Sequence, residues 1–225
     1  MQTAHASLST QTIPNAALLH TTPSQRMSPE LGTARAVTKD EEIFAEGDRA
    51  AYFYKVVSGA VRTFKLLSDG RRQIDAFHLP GDIFGLELGE EHRFSAEALG
   101  DATIVAYRRC SLEALATRDQ GLANQVIASM MRSLERAQDH MLLLGRKHAL
   151  ERIATFLLVL SERLTADGHV DLPMSRIDIA DHLGLTIETV SRSLTQLERE
   201  GIIELPAHRR SIVLRDKAAL ERLEA

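Results

Sequence analysis

The fold is decided by residues 172–201, which read LPMSRIDIADHLGLTIETVSRSLTQLEREG. Ser175 followed three residues later by Asp178 forms a capping-box pattern, which predicts a helix that begins there and ends at Gly184. Thr186 can cap a second helix, which is predicted to stop at the last glycine of the stretch. Two helices joined by a short turn that contains glycine define the helix-turn-helix pattern.

The second predicted helix has two different faces. Val190, Leu194 and Leu197 predict a side packed on a core, and Ile187 lies at its edge. The other side carries only polar residues, namely Glu188, Ser191, Arg192, Thr195 and Arg199. A polar stripe is usually a solvated helix surface, but this one combines the side chains that bind base edges in the DNA major groove. The position on the second helix of the motif favours DNA recognition.

Residues 202–205 and 211–214 are predicted to form a hairpin after the second helix, as in a winged helix. Its tip carries Arg209 and Arg210, which suit contacts with DNA phosphates. Further predicted contacts with the DNA backbone are Ser175, Arg176, Thr186, Thr189, Thr195 and Arg199. From residue 146 onward acidic residues slightly outnumber basic ones, so affinity for DNA has to come from the placement of arginines.

Residues 31–110 predict an antiparallel barrel or sandwich. Segments rich in Val, Ile, Phe and Tyr alternate there with turn signals roughly a dozen residues apart. The clearest hairpin joins residues 61–67 to 72–77 through Asp69 and Gly70, both of which tolerate positive φ. Residues 1–30 are rich in Thr, Ser, Gln, Ala and Pro, and predict a flexible N-terminal arm. With the downstream helices, the fold class is α+β.

A long amphipathic helix is predicted over residues 111–145, from the capping residue Ser111 to Gly145. Its apolar stripe consists of Leu122, Val126, Met130, Ala137, Met141 and Leu144. Either this stripe packs on the chain's own sheet or it forms a seam with a second copy. Because a separate barrel needs only a short covering helix, we expect a parallel homodimer. Residues 146–225 then form a C-terminal domain, opened by another helix that runs to Leu164.

The composition is that of an ordinary globular protein, with 225 residues, 44% hydrophobic and 26% charged residues and a net charge of -4. No apolar run approaches the roughly 18 residues of a membrane span, and no secretory signal is visible, so we expect a cytoplasmic protein without a membrane partner. The single cysteine, Cys110, excludes an internal disulfide. The histidines lack a metal-ligand spacing, and no nucleophile elbow, phosphate loop or paired-carboxylate motif occurs. We expect neither a metal nor an enzyme.

Several segments resemble the CRP/FNR family of transcription regulators. Barrel landmarks of that family are matched at residues 43–48, 55–59, 80–85 and 94–96, and its long dimer helix at residues 111–144. The stretch GLTIETVSR at residues 184–192 is similar to the FNR and FixK branch. The resemblance implies a cyclic-nucleotide-binding-like jelly-roll barrel, a dimerisation helix and a C-terminal winged helix-turn-helix. It also implies an activator that works as a homodimer on DNA and contacts RNA polymerase.

The resemblance assigns the base-reading residues. The FNR branch carries Glu-x-x-Ser-Arg in its second helix, which this chain has as Glu188, Ser191 and Arg192. The CRP branch has Arg where this chain has Ile187, and Gly where it has Ser191. Ile187 is included as an apolar contact for a thymine methyl group. This departure from the CRP pattern favours palindromic TTGA-type half-sites.

The sequence also bears on effectors. In cyclic-nucleotide binders of the family, an Arg-Ser-Ala sequence binds the phosphate, whereas this chain has Phe94-Ser95-Ala96. Arg93 is one residue off, which on a strand places it on the opposite face. The clustered N-terminal cysteines of FNR are absent from residues 1–35. We expect no cofactor and no required ligand; the alternative is a sensor that binds an unidentified metabolite or heme, with conditional DNA binding.

Overall fold

The computed structural model describes residues 32–110, 112–164, 169–206 and 211–224, and its fold is α+β as predicted. The strands are β1 (Gly32–Val37), β2 (Glu42–Phe44), β3 (Tyr52–Ser58), β4 (Val61–Leu66), β5 (Arg72–His78), β6 (Ile83–Phe84), β7 (Ser95–Ala98), β8 (Ala102–Arg108), β9 (His169–Asp171), β10 (Ile203–Glu204) and β11 (Ser211–Leu214). The helices are α1 (Leu112–Arg118), α2 (Gln120–Arg146), α3 (Ala149–Leu164), α4 (Arg176–Leu183), α5 (Ile187–Arg199) and α6 (Lys217–Glu224). The arm predicted over residues 1–30 lies outside the described residues.

The N-terminal barrel consists of two four-stranded antiparallel sheets. One has the strand order β1-β8-β3-β6 and the other β2-β7-β4-β5. Side chains from both sheets fill the space between them, and Val56, Val61 and Ile104 are completely buried there. This arrangement confirms the predicted jelly-roll barrel, because alternate residues of each strand point into a shared core.

The predicted hairpin is present, with β4 and β5 paired antiparallel, but its turn differs from the two-residue turn expected. The Leu67 N–H donates to the Arg71 carbonyl at 2.8 Å, and the Gly70 N–H donates to the Leu67 carbonyl at 2.9 Å. Of the two central residues only Gly70 has positive φ, at 84°. The loop is therefore longer than a two-residue turn: the hydrogen bond that closes it joins Leu67 to Arg71, and three residues, 68–70, lie between them.

The helix predicted over residues 111–145 is two helices. Asp119 interrupts it with an extended backbone (φ -150°, ψ 93°) and caps α2 by accepting a hydrogen bond from the Leu122 N–H. Gly145 does not end α2, which continues until Lys147 adopts an extended conformation. At 27 residues, α2 is a rod of about 40 Å. The predicted cap at Ser111 lies outside the described residues.

The first turns of α2 pack on the chain's own barrel. Leu122 and Val126 are only 4% and 3% exposed. They contact the outer side of the β1-β8-β3-β6 sheet, where Phe53, Ile83 and Tyr107 present an apolar surface. The prediction that Leu122 and Val126 line a seam with a second copy is therefore wrong, because the barrel already buries both side chains.

Further along α2 the predicted stripe is divided. Met130, Ala137 and Met141 are exposed, whereas Leu144 is half-buried against the C-terminal core. Six large apolar residues stand exposed along this helix, and we call them the α2 stripe: Ile127, Met130, Met131, Leu134, Met141 and Leu142. At 100° per residue they occupy one side of α2, different from the side that carries Leu122 and Val126.

The C-terminal residues form a second unit on α3, whose inner side is buried. Helices α4, α5 and α6 pack around it with a small sheet of order β10-β11-β9. The predicted hairpin is present as β10 and β11, and β9 adds a strand that the sequence analysis did not predict. Phe64, Ile74 and Phe77 of the barrel belong to the same apolar cluster as this unit. Part of the barrel therefore packs on the C-terminal unit in one apolar cluster, which is separate from the cluster that fills the barrel interior.

Within the described ranges, no helix is both long and apolar enough to cross a membrane.

Candidate nucleic-acid interface

Helix α4 begins at the predicted capping box. The Ser175 hydroxyl accepts a hydrogen bond from the Asp178 N–H, and the Asp178 Oδ2 accepts one from the Ser175 N–H at 2.9 Å. The helix ends at Gly184, whose left-handed backbone (φ 62°) lets its N–H donate to the Ala180 carbonyl. Both ends were predicted from local sequence, and both are confirmed.

Helix α5 is also placed as predicted. The Thr186 side chain caps it by accepting from the Thr189 N–H at 3.3 Å. Val190, Leu194 and Leu197 are at most 2% exposed and fasten the helix to the core. The polar side of α5 is thereby turned away from the core, towards solvent.

Three of the four predicted base-reading residues are exposed on α5, and Ser191 is half-buried. Ile187 is 39% exposed at the edge of the core face. Arg192 folds back along the helix, where its Nε donates to the Glu188 carbonyl at 3.3 Å. The pKa of Glu188 is lowered by hydrogen bonds from the Glu188 backbone N–H and from the Thr186 hydroxyl, and then by the charge of Arg192. Glu188 is therefore an ionised hydrogen-bond acceptor at neutral pH.

The residues predicted to contact the DNA backbone are only partly brought together. Arg176, from the start of α4, reaches across to the Ser191 hydroxyl at 3.4 Å, so it joins the base-reading face. Thr189 bonds with the capping hydroxyl of Thr186, and the Thr195 hydroxyl donates to the Ser191 carbonyl at 2.9 Å. Those threonine hydroxyls are already used inside the protein.

The remaining predicted backbone contacts lie at the edges of this surface. Arg199 is exposed in the last turn of α5, and Ser175 is half-buried in its capping box. Arg209 and Arg210, the predicted wing tip, lie outside the described residues.

One arginine that orders this region was not predicted from the sequence. Arg152 of α3 donates to three main-chain carbonyls, those of Leu144, Lys147 and Leu183, at 2.8–3.0 Å. Its guanidinium thus joins the end of α2 to the end of α4, where helix carbonyls lack partners. No local sequence pattern predicts this role, because α2 and α4 are far apart in the chain.

A cavity of about 320 Å³ lies between the barrel and α2. Arg93 and Phe94 both line it, with Asp75 and Glu87 close by. The prediction that Arg93 points to the opposite face is wrong, because β7 begins only after Phe94 and strand alternation does not apply to Arg93. Burial raises the pKa of Asp75, against the hydrogen bond from Thr63 and the charge of Arg93. An anion placed here would meet one guanidinium flanked by two carboxyl groups.

Among the described residues, no group of three or more His, Cys, Asp or Glu side chains is placed to hold a metal ion.

Two protein families match this chain. Residues 34–119 match the cyclic nucleotide-binding domain, and residues 151–223 match the Crp-like helix-turn-helix domain. The chain is 52% identical over 200 residues to the nitrogen fixation regulation protein FixK of Azorhizobium caulinodans, which covers 87% of this chain and 80% of that protein. It is 45% identical to the FixK protein of Rhizobium meliloti over 79% of this chain and 81% of that one.

Solved structures of FixK and CRP-family regulators are also similar to this chain. The structure of FixK2 from Bradyrhizobium japonicum superimposes with a TM-score of 0.80 at 53% sequence identity, over 87% of this chain and 98% of that chain. TTHB099, a regulator of the CRP family from Thermus thermophilus, superimposes with a TM-score of 0.70 at 32% identity, over 84% and 96% of the two chains.

The fold and the exposed helix α5 thus define a transcription regulator that binds DNA through a winged helix-turn-helix attached to a cyclic-nucleotide-binding-type barrel. The chain belongs to the CRP/FNR family, and within it to the FixK group.

Proposed function

We propose that this protein is a homodimeric transcription activator that binds palindromic TTGA-type half-sites through α5 without a required small ligand. The observation that carries the proposal is the polar side of α5, on which Glu188, Ser191 and Arg192 stand together while the opposite side is buried. A helix held in this way presents its N-terminal residues to the major groove.

The chemistry of each side chain fits one base pair step of such a site. An arginine can donate two hydrogen bonds to guanine O6 and N7, and an ionised glutamate can accept from cytosine N4. Arg192 and Glu188 lie one helical turn apart, and the main-chain bond of Arg192 is exposed, so DNA can replace it. Ile187 adds an apolar contact for a thymine methyl group. We assign these three residues and Ser191 as base readers.

The α2 stripe supports the homodimer. Its six apolar side chains are exposed over a helix of 27 residues, and a patch of this extent on a helix favours a parallel seam with a second copy. The dimer then uses Met130 and Met141 as first proposed, with Ile127 and Leu134 in place of Leu122 and Val126. Two α5 helices related by twofold symmetry read half-sites about 34 to 36 Å apart.

The names of the relatives support the remaining parts of the proposal. FixK proteins are named for the regulation of nitrogen fixation, and further relatives are named transcriptional activators. By analogy we infer a cytoplasmic, non-enzymatic activator that contacts RNA polymerase on DNA. The division into an arm (1–30), a barrel (31–110), a dimerisation helix (111–145) and a DNA-binding domain (146–225) stays a prediction in its boundaries.

The cavity beside α2 favours the second candidate function, a sensor whose DNA binding depends on an effector. Its volume of about 320 Å³ suits a small molecule, and Arg93 faces it. Two carboxyl groups beside that arginine disfavour a cyclic phosphate. For this reason we propose DNA binding that does not require a ligand.

The base-reading assignment is tested with Arg192→Ala. We expect it to weaken binding to a TTGA half-site by about 1 to 3 kcal/mol and to relax the choice at the G of that half-site. The matched control is Arg199→Ala, which removes a predicted phosphate contact on the same helix and is expected to weaken binding to all sequences alike. Fluorescence anisotropy with matched and single-substituted duplexes measures both. Equal loss of discrimination in the two variants would show that the contacts are sorted wrongly.

A further inference from the structure

Two arginines of the barrel bind the first helix of the helix-turn-helix. The Arg62 Nη1 donates to the Asp178 Oδ1 at 3.0 Å, and the Arg72 Nη2 donates to the same oxygen at 2.7 Å. The Arg72 Nε also donates to the Asp181 Oδ2 at 2.8 Å, one turn further along α4. These ion pairs join residues more than a hundred positions apart in the chain.

The carboxylate of Asp178 is shared between two tasks. Its Oδ2 accepts from the Ser175 N–H and hydroxyl, which starts α4, while its Oδ1 accepts from the two guanidinium groups. Burial raises the pKa of Asp178, but the Ser175 hydrogen bonds and the two arginines outweigh burial and lower it overall. The group is therefore ionised at neutral pH, with both oxygens occupied.

Arg62 is itself held by further ion pairs within the barrel. The Arg62 side chain is 9% exposed and also pairs with Glu97 and Asp40 of the barrel, so it cannot follow α4 if that helix moves. Arg72 lies at the start of β5 and is 22% exposed on its side chain. Because charge-assisted hydrogen bonds are directional as well as strong, the two guanidinium groups restrict the orientation of α4 relative to the barrel.

The strand that carries Arg72 follows α4 along its length. The Gln73 Nε2 donates to the His182 carbonyl at 3.2 Å, and the His182 Nδ1 lies 3.1 Å from the Ile74 carbonyl. The rings of Phe77 and His182 are 5.0 Å apart. Strand β5 thus contacts α4 at both ends, so the barrel sets both the position and the rotation of the helix-turn-helix.

We propose that Arg72 and Arg62 are positioning residues for DNA recognition: through Asp178 and Asp181 they hold each helix-turn-helix at one orientation on its barrel, and so fix the spacing of half-sites that the dimer accepts. This inference rests on the proposed homodimer that reads two half-sites. The hydrogen bonds and ion pairs given for both arginines in the described part of the chain end on α4 and on the barrel, so we expect the base preference within a half-site to be independent of them.

A fixed orientation of the two helix-turn-helix units limits the spacer length between the half-sites that the dimer can bind. Adding one base pair between the half-sites turns one of them by about a tenth of a helical turn and moves it along the axis, so rigidly held helices no longer fit both. Freeing α4 from the barrel lets the two units adjust, at the cost of lower affinity for the optimal site, because preorganisation is lost.

The test compares Arg72→Gln with the matched control Arg71→Gln. Arg71 is the neighbouring residue in the same hairpin, exposed and paired with Asp69. Fluorescence anisotropy is measured on palindromes with the optimal spacer, with one base pair added and with one removed, and on the optimal palindrome with one base changed in each half-site. If Arg72→Gln does not fold, Asp181→Ala carries the same test, since it removes one acceptor of Arg72 and leaves the capping box intact.

We expect the full-length protein and Arg71→Gln to lose about tenfold or more in affinity on the altered spacers. Arg72→Gln is expected to bind the optimal palindrome more weakly and to lose less than about threefold on altered spacers, with its base preference unchanged. A variant that keeps the spacer preference of the full-length protein, or that loses base preference together with affinity, would overturn the proposal. Full-length protein with no preference for a palindrome would instead refute the proposed dimeric function.

Discussion

At the scale of single residues, two histidines stand out because they are uncharged at neutral pH: His78 is buried, and His182 is half-buried against Phe77. Burial lowers the pKa of His78 to about 4, against the opposing charge of Asp82 and with smaller lowering effects from Arg136 and Arg163. Burial, together with the neighbouring His140, lowers the pKa of His182 to about 3. Protonating either ring would place a charge in the packed interior.

The stability of the protein is therefore expected to fall on acidification. In the unfolded chain both histidines bind protons below about pH 6.5, whereas in the folded chain they do so only near pH 3 to 4, so acid favours unfolding in between. Each group contributes a slope of about 1.4 kcal/mol per pH unit in that window. Urea unfolding at pH 7 and pH 5 measures the loss.

The matched variants for this prediction are His182→Gln and His169→Gln. His182→Gln removes one of these two titrating groups and is expected to lose less stability between pH 7 and pH 5 than the unsubstituted protein. His169 is exposed on β9, so His169→Gln is expected to behave like the unsubstituted protein. An equal loss in all three proteins would show that His182 is not the responsible group.

At the scale of elements, α2 serves two surfaces at once. One side of its first turns covers the barrel through Leu122 and Val126, and its exposed side presents the α2 stripe. The middle of the helix is held to the barrel by polar contacts as well, since the Ser129 hydroxyl is buried beside the Ile83 carbonyl at 3.4 Å. The exposed side is therefore free for a second copy without disturbing the barrel.

Replacing Leu134 by Glu is expected to abolish the dimer. Leu134 is 54% exposed near the middle of the α2 stripe, and a carboxylate buried in the seam would lack a partner. The control is Arg132→Glu, an exposed position two residues away that faces nearly the opposite side of the helix. Sedimentation velocity at micromolar concentration should show a monomer for the first variant and a dimer for the second. A folded Leu134→Glu protein that remains dimeric would exclude the stripe as the seam.

Local sequence determines where the helices of the helix-turn-helix begin and end, but not which surface buries an apolar helix face. The ends of α4 and α5 were predictable because Ser175, Thr186 and Gly184 act on backbone groups within a few residues. The division of the apolar stripe predicted from the sequence was not, because an amphipathic pattern shows that Leu122 will be buried but not which surface buries it. The apolar outer side of the barrel sheet exists only after strands distant in sequence have paired.

At the scale of the whole molecule, the barrel and the DNA-binding unit are joined by a shared apolar cluster and by ion pairs. Phe64, Ile74 and Phe77 pack in the same cluster as the interior of the C-terminal unit. Asp82 of the barrel accepts from both Arg136 of α2 and Arg163 of α3. These contacts were invisible in the sequence, since each pair is separated by dozens of residues and by several elements. The direction in which α5 points therefore depends on contacts made by the barrel, α2 and α3 as well as on its own unit.

The central claim is that this chain, as a dimer and without a ligand, reads TTGA-type half-sites through α5. Selection from a randomised DNA library tests it most directly, with purified ligand-free protein and with the double variant Ile187→Arg, Ser191→Gly. We expect an inverted repeat of TTGA for the unsubstituted protein and a shift towards a GTGA-like half-site for the double variant. No enriched sequence without an added effector, or the same consensus for both proteins, would contradict it.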